Sequence, residues 1–275
     1  MEATSIARMP PDPPELPEGS APRWPAWYAA AGFVVGLLGT LVAVGIVMAI
    51  TGTDSTEDDS TFTVIATLMQ SLVFIGTAML FASLTRKPRA WHFGLRRTNF
   101  WPAVGWAALG MVSFYVFAAV YAAIVQPDAE QTVAQDLGAD NGTFGMIAAG
   151  VMVVCVAPAA EEFFFRGFFY RALRSRYSVI AAALLNGGLF GIIHFTGGSD
   201  ALLILPPLAA LGFMFCLVYE RTGSIYPVIA LHSINNAIAF GAQAEGWEVS
   251  AVLGPLMLLA CVLVPRLSRP SPGFR

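Results

Sequence analysis

The sequence predicts an all-α polytopic membrane protein with about eight transmembrane helices and both termini in the cytoplasm. Three observations predict it. The chain is 56% hydrophobic and only 12% charged, with a mean hydropathy of +0.66, well outside the range of ordinary soluble domains. Apolar runs of about 20 residues, enough to cross a bilayer's hydrocarbon core, recur along it. Finally, with eight spans, all 15 Lys and Arg residues fall on one side.

Residues 1–25 carry seven prolines (Pro10, Pro11, Pro13, Pro14, Pro17, Pro22 and Pro25) and few apolar side chains, so a disordered cytoplasmic tail is expected there. The first apolar stretch starts late and exceeds a signal-peptide core, and it reads as a retained first span. Apolar segments then follow at about 27–50, 62–84, 101–125, 144–165, 179–195, 201–219, 225–242 and 249–264. The fifth and sixth are the weakest, because Thr196–Asp200 is a short connector and Pro206-Pro207 interrupts the segment after it. Three units follow the tail: 26–143, N-terminal helices with an interfacial segment; 144–242, the part that carries the chemistry; and 243–275, a last span and a cytoplasmic tail.

Orientation comes from the basic residues. Arg8 and Arg23 precede the first span; Arg86, Lys87, Arg89, Arg96 and Arg97 lie between the second and third. Arg166, Arg171, Arg174 and Arg176 follow the glutamates of the fourth, Arg221 the sixth, and Arg266, Arg269 and Arg275 the eighth. The opposite loops hold acids instead: Asp54, Glu57, Asp58 and Asp59 in one, Asp128, Glu130, Asp136 and Asp140 in the other. The stretch "RAWHFGLRRTNFWPAVGW" reads as an interfacial segment along the cytoplasmic surface, with His92 a belt residue rather than a catalytic one. Cys155, Cys216 and Cys261 are scattered within apolar segments and read as packing residues, not as a disulfide framework or zinc knuckle.

Chemistry concentrates in "VAPAAEEFFFRGFFYRALRSR" at 156–176. Glu161 lies roughly 10 to 15 residues before the arginines that mark the surface, hence roughly 15–22 Å deep. An ionisable side chain at that depth is a functional candidate. Glu162 and Arg166 are four apart and can pair on one helix face; Glu161, about 100° round, is left to face something else. Pro158 deprives the Val154 carbonyl of its helical donor. Two further clusters reach a similar depth: Asn186, Phe190 and His194 at i+4 spacing on one helix, and His232 with Asn236 on another. Three helices thus deliver an acid, two imidazoles and an amide to one level.

Glu161-Glu162-x-x-x-Arg166, Phe190-x-x-x-His194 and His232-x-x-x-Asn236 resemble, in type, order and approximate spacing, the three signature motifs of the CPBP family of intramembrane proteases. That family includes type II CAAX-prenyl endopeptidases and bacteriocin-processing or immunity proteins. The resemblance covers about residues 144–242. It implies an endopeptidase acting at the cytoplasmic side of the membrane on a protein or peptide substrate. Glu161 would be the general base, Glu162 and Arg166 its support, and His194, His232 and Asn236 the groups that hold the water or stabilise the oxyanion. Phe190 would wall the cavity. Members are commonly called metalloproteases, and a metal-free glutamate mechanism has also been proposed for them. A divalent ion, zinc if any, would take Glu161, His194 and His232, a two-His, one-carboxylate set with a position open for water.

A membrane scaffold or immunity protein that uses the same cavity only for binding is the alternative, and a transporter is a third class without specific support. Fourteen arginines against the single Lys87 suggest a GC-rich genome and a bacterial plasma membrane, where a prenylated substrate would be out of place. Membrane lipid is the surrounding partner, and nothing calls for nucleic acid.

Overall fold

The computed structural model describes residues 24–52, 60–127, 132–195 and 201–267. Among them there is helix and no strand, as expected for a chain whose backbone polar groups must be satisfied inside lipid. Eight helical rods follow in chain order: α1 (Trp27–Thr51), α2 (Ser60–Ser83), α3 (Phe100–Val125), α4 (Gly142–Arg174), α5 (Val179–Ile192), α6 (Ala201–Thr222), α7 (Tyr226–Gln243) and α8 (Trp247–Leu267). The acidic 54–59 stretch, the 196–200 connector and both terminal tails lie outside the described residues, and with them the predicted orientation.

Six of these helices, all but α5 and α7, are long and apolar enough to cross a membrane, against the eight expected. The reason is physical. With 14 residues, α5 is about 21 Å long, short of a hydrocarbon core of about 30 Å. Its apolar sequence runs to Phe195, but the helix stops at Ile192. In α7 the apolar run is diluted by His232, Ser233, Asn235 and Asn236. Ser178 caps α5, its Oγ accepting from the Ala181 N–H at 3.3 Å. Pro206 and Pro207 do not break α6, which runs through both.

The core centres on α4. Phe164, Phe165, Phe168, Phe169 and Tyr170 are all buried, because "FFFRGFFY" sets aromatic side chains on several faces and neighbouring helices cover them, while its one charge, Arg166, is buried too. Phe74 and Phe81 of α2 and Trp24 pack against it. On α1, α3 and α8 the large apolar side chains face outward instead, among them Leu41, Val42, Trp101, Ile124, Val252 and Leu256. That is the surface a lipid solvent requires.

Ala90–Phe93 forms a 3₁₀ turn in which Trp91, His92 and Phe93 are buried, and the turn is plugged against α4. A Cβ at Gly167 would meet the Phe93 carbonyl at 2.9 Å, so this close approach of two backbones needs glycine there. Gly187 does the same between α5 and α6, where a Cβ would lie 2.6 Å from the Ala209 carbonyl.

Candidate active site

Glu161 and Glu162 end the six-residue α stretch Ala157–Glu162. It is flanked within α4 by two wider π-helical stretches, Met152–Val156 and Phe163–Tyr170. Such insertions are rare and concentrate at functional sites. In the first of them the Ala157 N–H bonds to the Met152 carbonyl, five residues back. The next carbonyl, Val153, would take its hydrogen from residue 158, which is proline and has none. Asn236 of α7 supplies it: its Nδ2 donates to the Val153 oxygen at 2.9 Å. The carbonyl orphaned by Pro158 is therefore Val153, not Val154, because the π register shifts the partner by one residue.

Glu162 is fully buried. Its Oε1 accepts from Arg166 Nη1 at 2.8 Å, the pair expected from the spacing, and also from His232 Nδ1 at 2.8 Å. Arg166, equally buried, donates a second bond from Nη2 to the Gly212 carbonyl of α6 at 3.0 Å. Its guanidinium carbon lies 4.7 Å and 5.0 Å from the ring centroids of Phe190 and Phe215. A desolvated charge pair held by aromatic faces and further hydrogen bonds is costly to break.

The bond to Glu162 sets the state of His232. An ionised carboxylate can only accept, so Nδ1 carries a hydrogen and Nε2 of the neutral ring presents a lone pair. That Nε2 is 4.0 Å from Glu161 Oε2. This Oε2 is buried and makes no hydrogen bond, although the Glu161 side chain as a whole is 15% exposed. The two glutamates therefore lie on opposite nitrogens of one imidazole. Glu162 is the bonded, sealed one and Glu161 the open one.

His194 stands in the turn after α5 rather than on the helix. Its Nδ1 lies 2.7 Å from the Phe190 carbonyl, an acceptor only, so this nitrogen bears the hydrogen and Nε2 is again the lone-pair nitrogen. The Phe190 ring adjoins both imidazoles, its centroid 4.9 Å from that of His194 and 5.8 Å from that of His232. No hydrogen bond or ion pair joins His194 to Glu161 or His232 among the described residues. Nor, among them, do three or more His, Cys, Asp or Glu side chains gather around a common point as metal donors would. The set Glu161, His194 and His232 does not fit a shared ion in this arrangement.

Further supporting groups lie outside the three motifs. Asn186, buried on α5, donates to the Phe165 carbonyl at 2.8 Å and accepts from Cys216 Sγ at 3.2 Å, tying α5 and α6 to the second π stretch. Gly212 and Phe215 hold Arg166. Only Asn186 was visible in advance, as a polar side chain in phase with Phe190 and His194.

Residues 143–238 match the Rce1-like family, described as type II CAAX prenyl endopeptidase Rce1-like. The match falls on the part of the chain whose motifs resemble the CPBP family. Two Bacillus subtilis (strain 168) proteins resemble the chain. "Uncharacterized protein YyaK" is 33% identical over 95 residues, 33% of this chain and 32% of that protein. "Putative membrane peptidase YdiL" is 32% identical over 90 residues, 33% of this chain and 35% of that protein. The chain thus spans about a third of the length of these curated relatives. No solved structure matches it. The matched residues include Glu161, Glu162, Arg166, His194, His232 and Asn236.

Proposed function

We propose that this integral membrane protein is an intramembrane endopeptidase that hydrolyses a peptide bond in a protein or peptide substrate at the basic, cytoplasmic side, in a bacterial plasma membrane. The match of residues 143–238 to the Rce1-like family and the printed name of one Bacillus relative support the reaction class. One relationship carries the mechanism: Glu162 fixes the His232 tautomer and leaves two acceptors, His232 Nε2 and Glu161 Oε2, facing each other at 4.0 Å.

That distance is too long for a direct hydrogen bond, and two acceptors need a donor between them. A water making two bonds of about 2.8 Å near its tetrahedral angle bridges atoms roughly 4.5 Å apart. Glu161 takes a proton from this water as its oxygen attacks the substrate carbonyl carbon, and returns that proton to the leaving amine as the C–N bond breaks. His232 holds the water through its other hydrogen. Asn236 Nδ2 has one hydrogen committed to Val153, and the second is available to the tetrahedral oxyanion. In this reading His194 Nε2 accepts from the substrate. The metal-assisted version of the reaction would need the three donors to close by rearrangement.

The test is cleavage of a membrane-anchored reporter by purified protein. Glu161→Gln and His232→Gln are expected to abolish turnover while remaining folded. Wild-type cleavage by Glu161→Gln would overturn the reading. Full complementation of a deletion strain by that variant would favour a binding role for the same cavity.

A further inference from the structure

Away from the glutamates, the basic end of the bundle holds a second group of buried polar side chains. Arg171, on α4 beyond the site, is 1% exposed, and its guanidinium carbon lies 5.7 Å from the Trp24 ring centroid. Trp24 packs on Phe93 at 5.2 Å, and the Trp91 ring touches His92 at 4.1 Å. The Phe93 carbonyl rests over Gly167, one turn before Arg171. Trp24, the 90–93 turn and Arg171 thus form one packed unit.

Among the described residues, Arg171 Nε and Nη1, Trp24 Nε1, Trp91 Nε1 and His92 Nε2 are all buried without a hydrogen-bond partner. Every one is a donor. Indole and guanidinium nitrogens can only donate. His92 Nδ1 accepts the Arg89 backbone N–H at 3.0 Å, so the ring hydrogen is on Nε2. Glu220, the carboxylate at the end of α6, is already taken by Arg174 and Tyr170. Arg171, Arg86 and Arg89 all act electrostatically on His92, so the local potential is positive. Folded chains do not accumulate buried donors of one kind, beside an unneutralised charge, unless something accepts from them.

We propose that this cluster binds a phosphate group, either the headgroup phosphate of a phospholipid or free inorganic phosphate. A tetrahedral anion offers more acceptor oxygens to such a set of donors than the two of a carboxylate. The position at the basic helix ends is where lipid phosphates lie. The inference is independent of the proteolytic reading.

The full chain, delipidated in detergent, is titrated with inorganic phosphate against chloride at equal ionic strength while its melting temperature is followed. In parallel, protein from phosphatidylglycerol nanodiscs is examined by native mass spectrometry for a retained lipid. A phosphate-specific rise in melting temperature is expected if free phosphate is the ligand, and one retained phosphatidylglycerol if a headgroup is. Arg171→Gln weakens either by about tenfold, because a charge-assisted contact is lost. Should that variant not fold, Trp91→Phe removes one N–H while keeping an aromatic ring, and weakens binding by about threefold. Absence of both signals in the wild type, or unchanged binding in both variants, overturns the proposal.

Discussion

Glu162 Oε1 lies 2.8 Å from both Arg166 Nη1 and His232 Nδ1, so one buried carboxylate oxygen joins a charge pair within α4 to an imidazole on α7. Glu162→Ala therefore strands the Arg166 charge and frees the imidazole together. The expected outcome is loss of activity with about 3–5 kcal/mol of destabilisation in denaturant or thermal unfolding. Arg166→Met, which leaves Glu162 without its cation, should destabilise comparably. A stable, active Glu162→Ala protein would show that this oxygen holds nothing.

Glu161 behaves in the opposite way. Its buried Oε2 has no hydrogen-bond partner, so little holds that carboxylate in the fold. Glu161→Gln is expected to leave the melting temperature unchanged or raised while reporter cleavage falls by about 10²–10⁴-fold, the usual contribution of a general base. Measured side by side, the two glutamate variants separate fold from chemistry: one loses both, the other chemistry alone.

Because the three proposed donors do not gather, removing divalent ions from the purified enzyme with a chelator is expected to leave turnover unchanged. Loss of turnover restored by zinc, but not in His194→Ala, would show that α5 and α7 close on an ion during the reaction.

What could be read from the sequence was local. The i+4 spacing of Glu162 and Arg166 forecast their pair, and apolar runs forecast the eight long helices, though not the short Val133–Asp136 or Ala90–Phe93, because both depend on neighbours along one segment. The bond from Glu162 to His232 crosses 70 positions and depends on how α7 is registered against α4, which no periodicity encodes. The π stretches escaped for a related reason. They change which carbonyl Pro158 orphans without altering the apolar pattern. His194 kept its phase with Phe190 in sequence, yet α5 ends before reaching it. The burial of the 90–93 turn depends on Gly167 opening space on another element, which the Trp, His and Arg of its own sequence do not signal.

His92 gives the fold a pH dependence whose sign is fixed. Burial, then the charges of Arg171, Arg86 and Arg89, push its pKa from 6.5 down to about 4. The unfolded chain takes up a proton near pH 6.5 that the folded chain refuses until about pH 4. This contribution is therefore complete above pH 6.5 and is lost as pH falls through that window. At pH 5.5 the loss is about 1 kcal/mol. Melting temperatures recorded from pH 7.5 to 5.5 should fall less steeply for His92→Gln than for wild type, and equal slopes would contradict the assignment.

The link between Asn236 and Pro158 yields a rescue experiment. Asn236→Ala removes the only hydrogen bond described for the Val153 carbonyl, a part-buried acceptor in a helix already opened to π geometry. The expected cost is about 1–3 kcal/mol. Pro158→Ala restores an N–H at the position whose π partner is that carbonyl, so in the Asn236→Ala background it should recover much of the lost stability. In the wild-type background the same change has no orphan to satisfy. A thermal-unfolding double-mutant cycle reads the coupling directly, and energies that simply add would show that Asn236 and Pro158 act independently. Activity is expected to part from stability here. The double variant regains its fold but not its turnover, since the second Asn236 hydrogen, proposed to meet the oxyanion, is gone in either background.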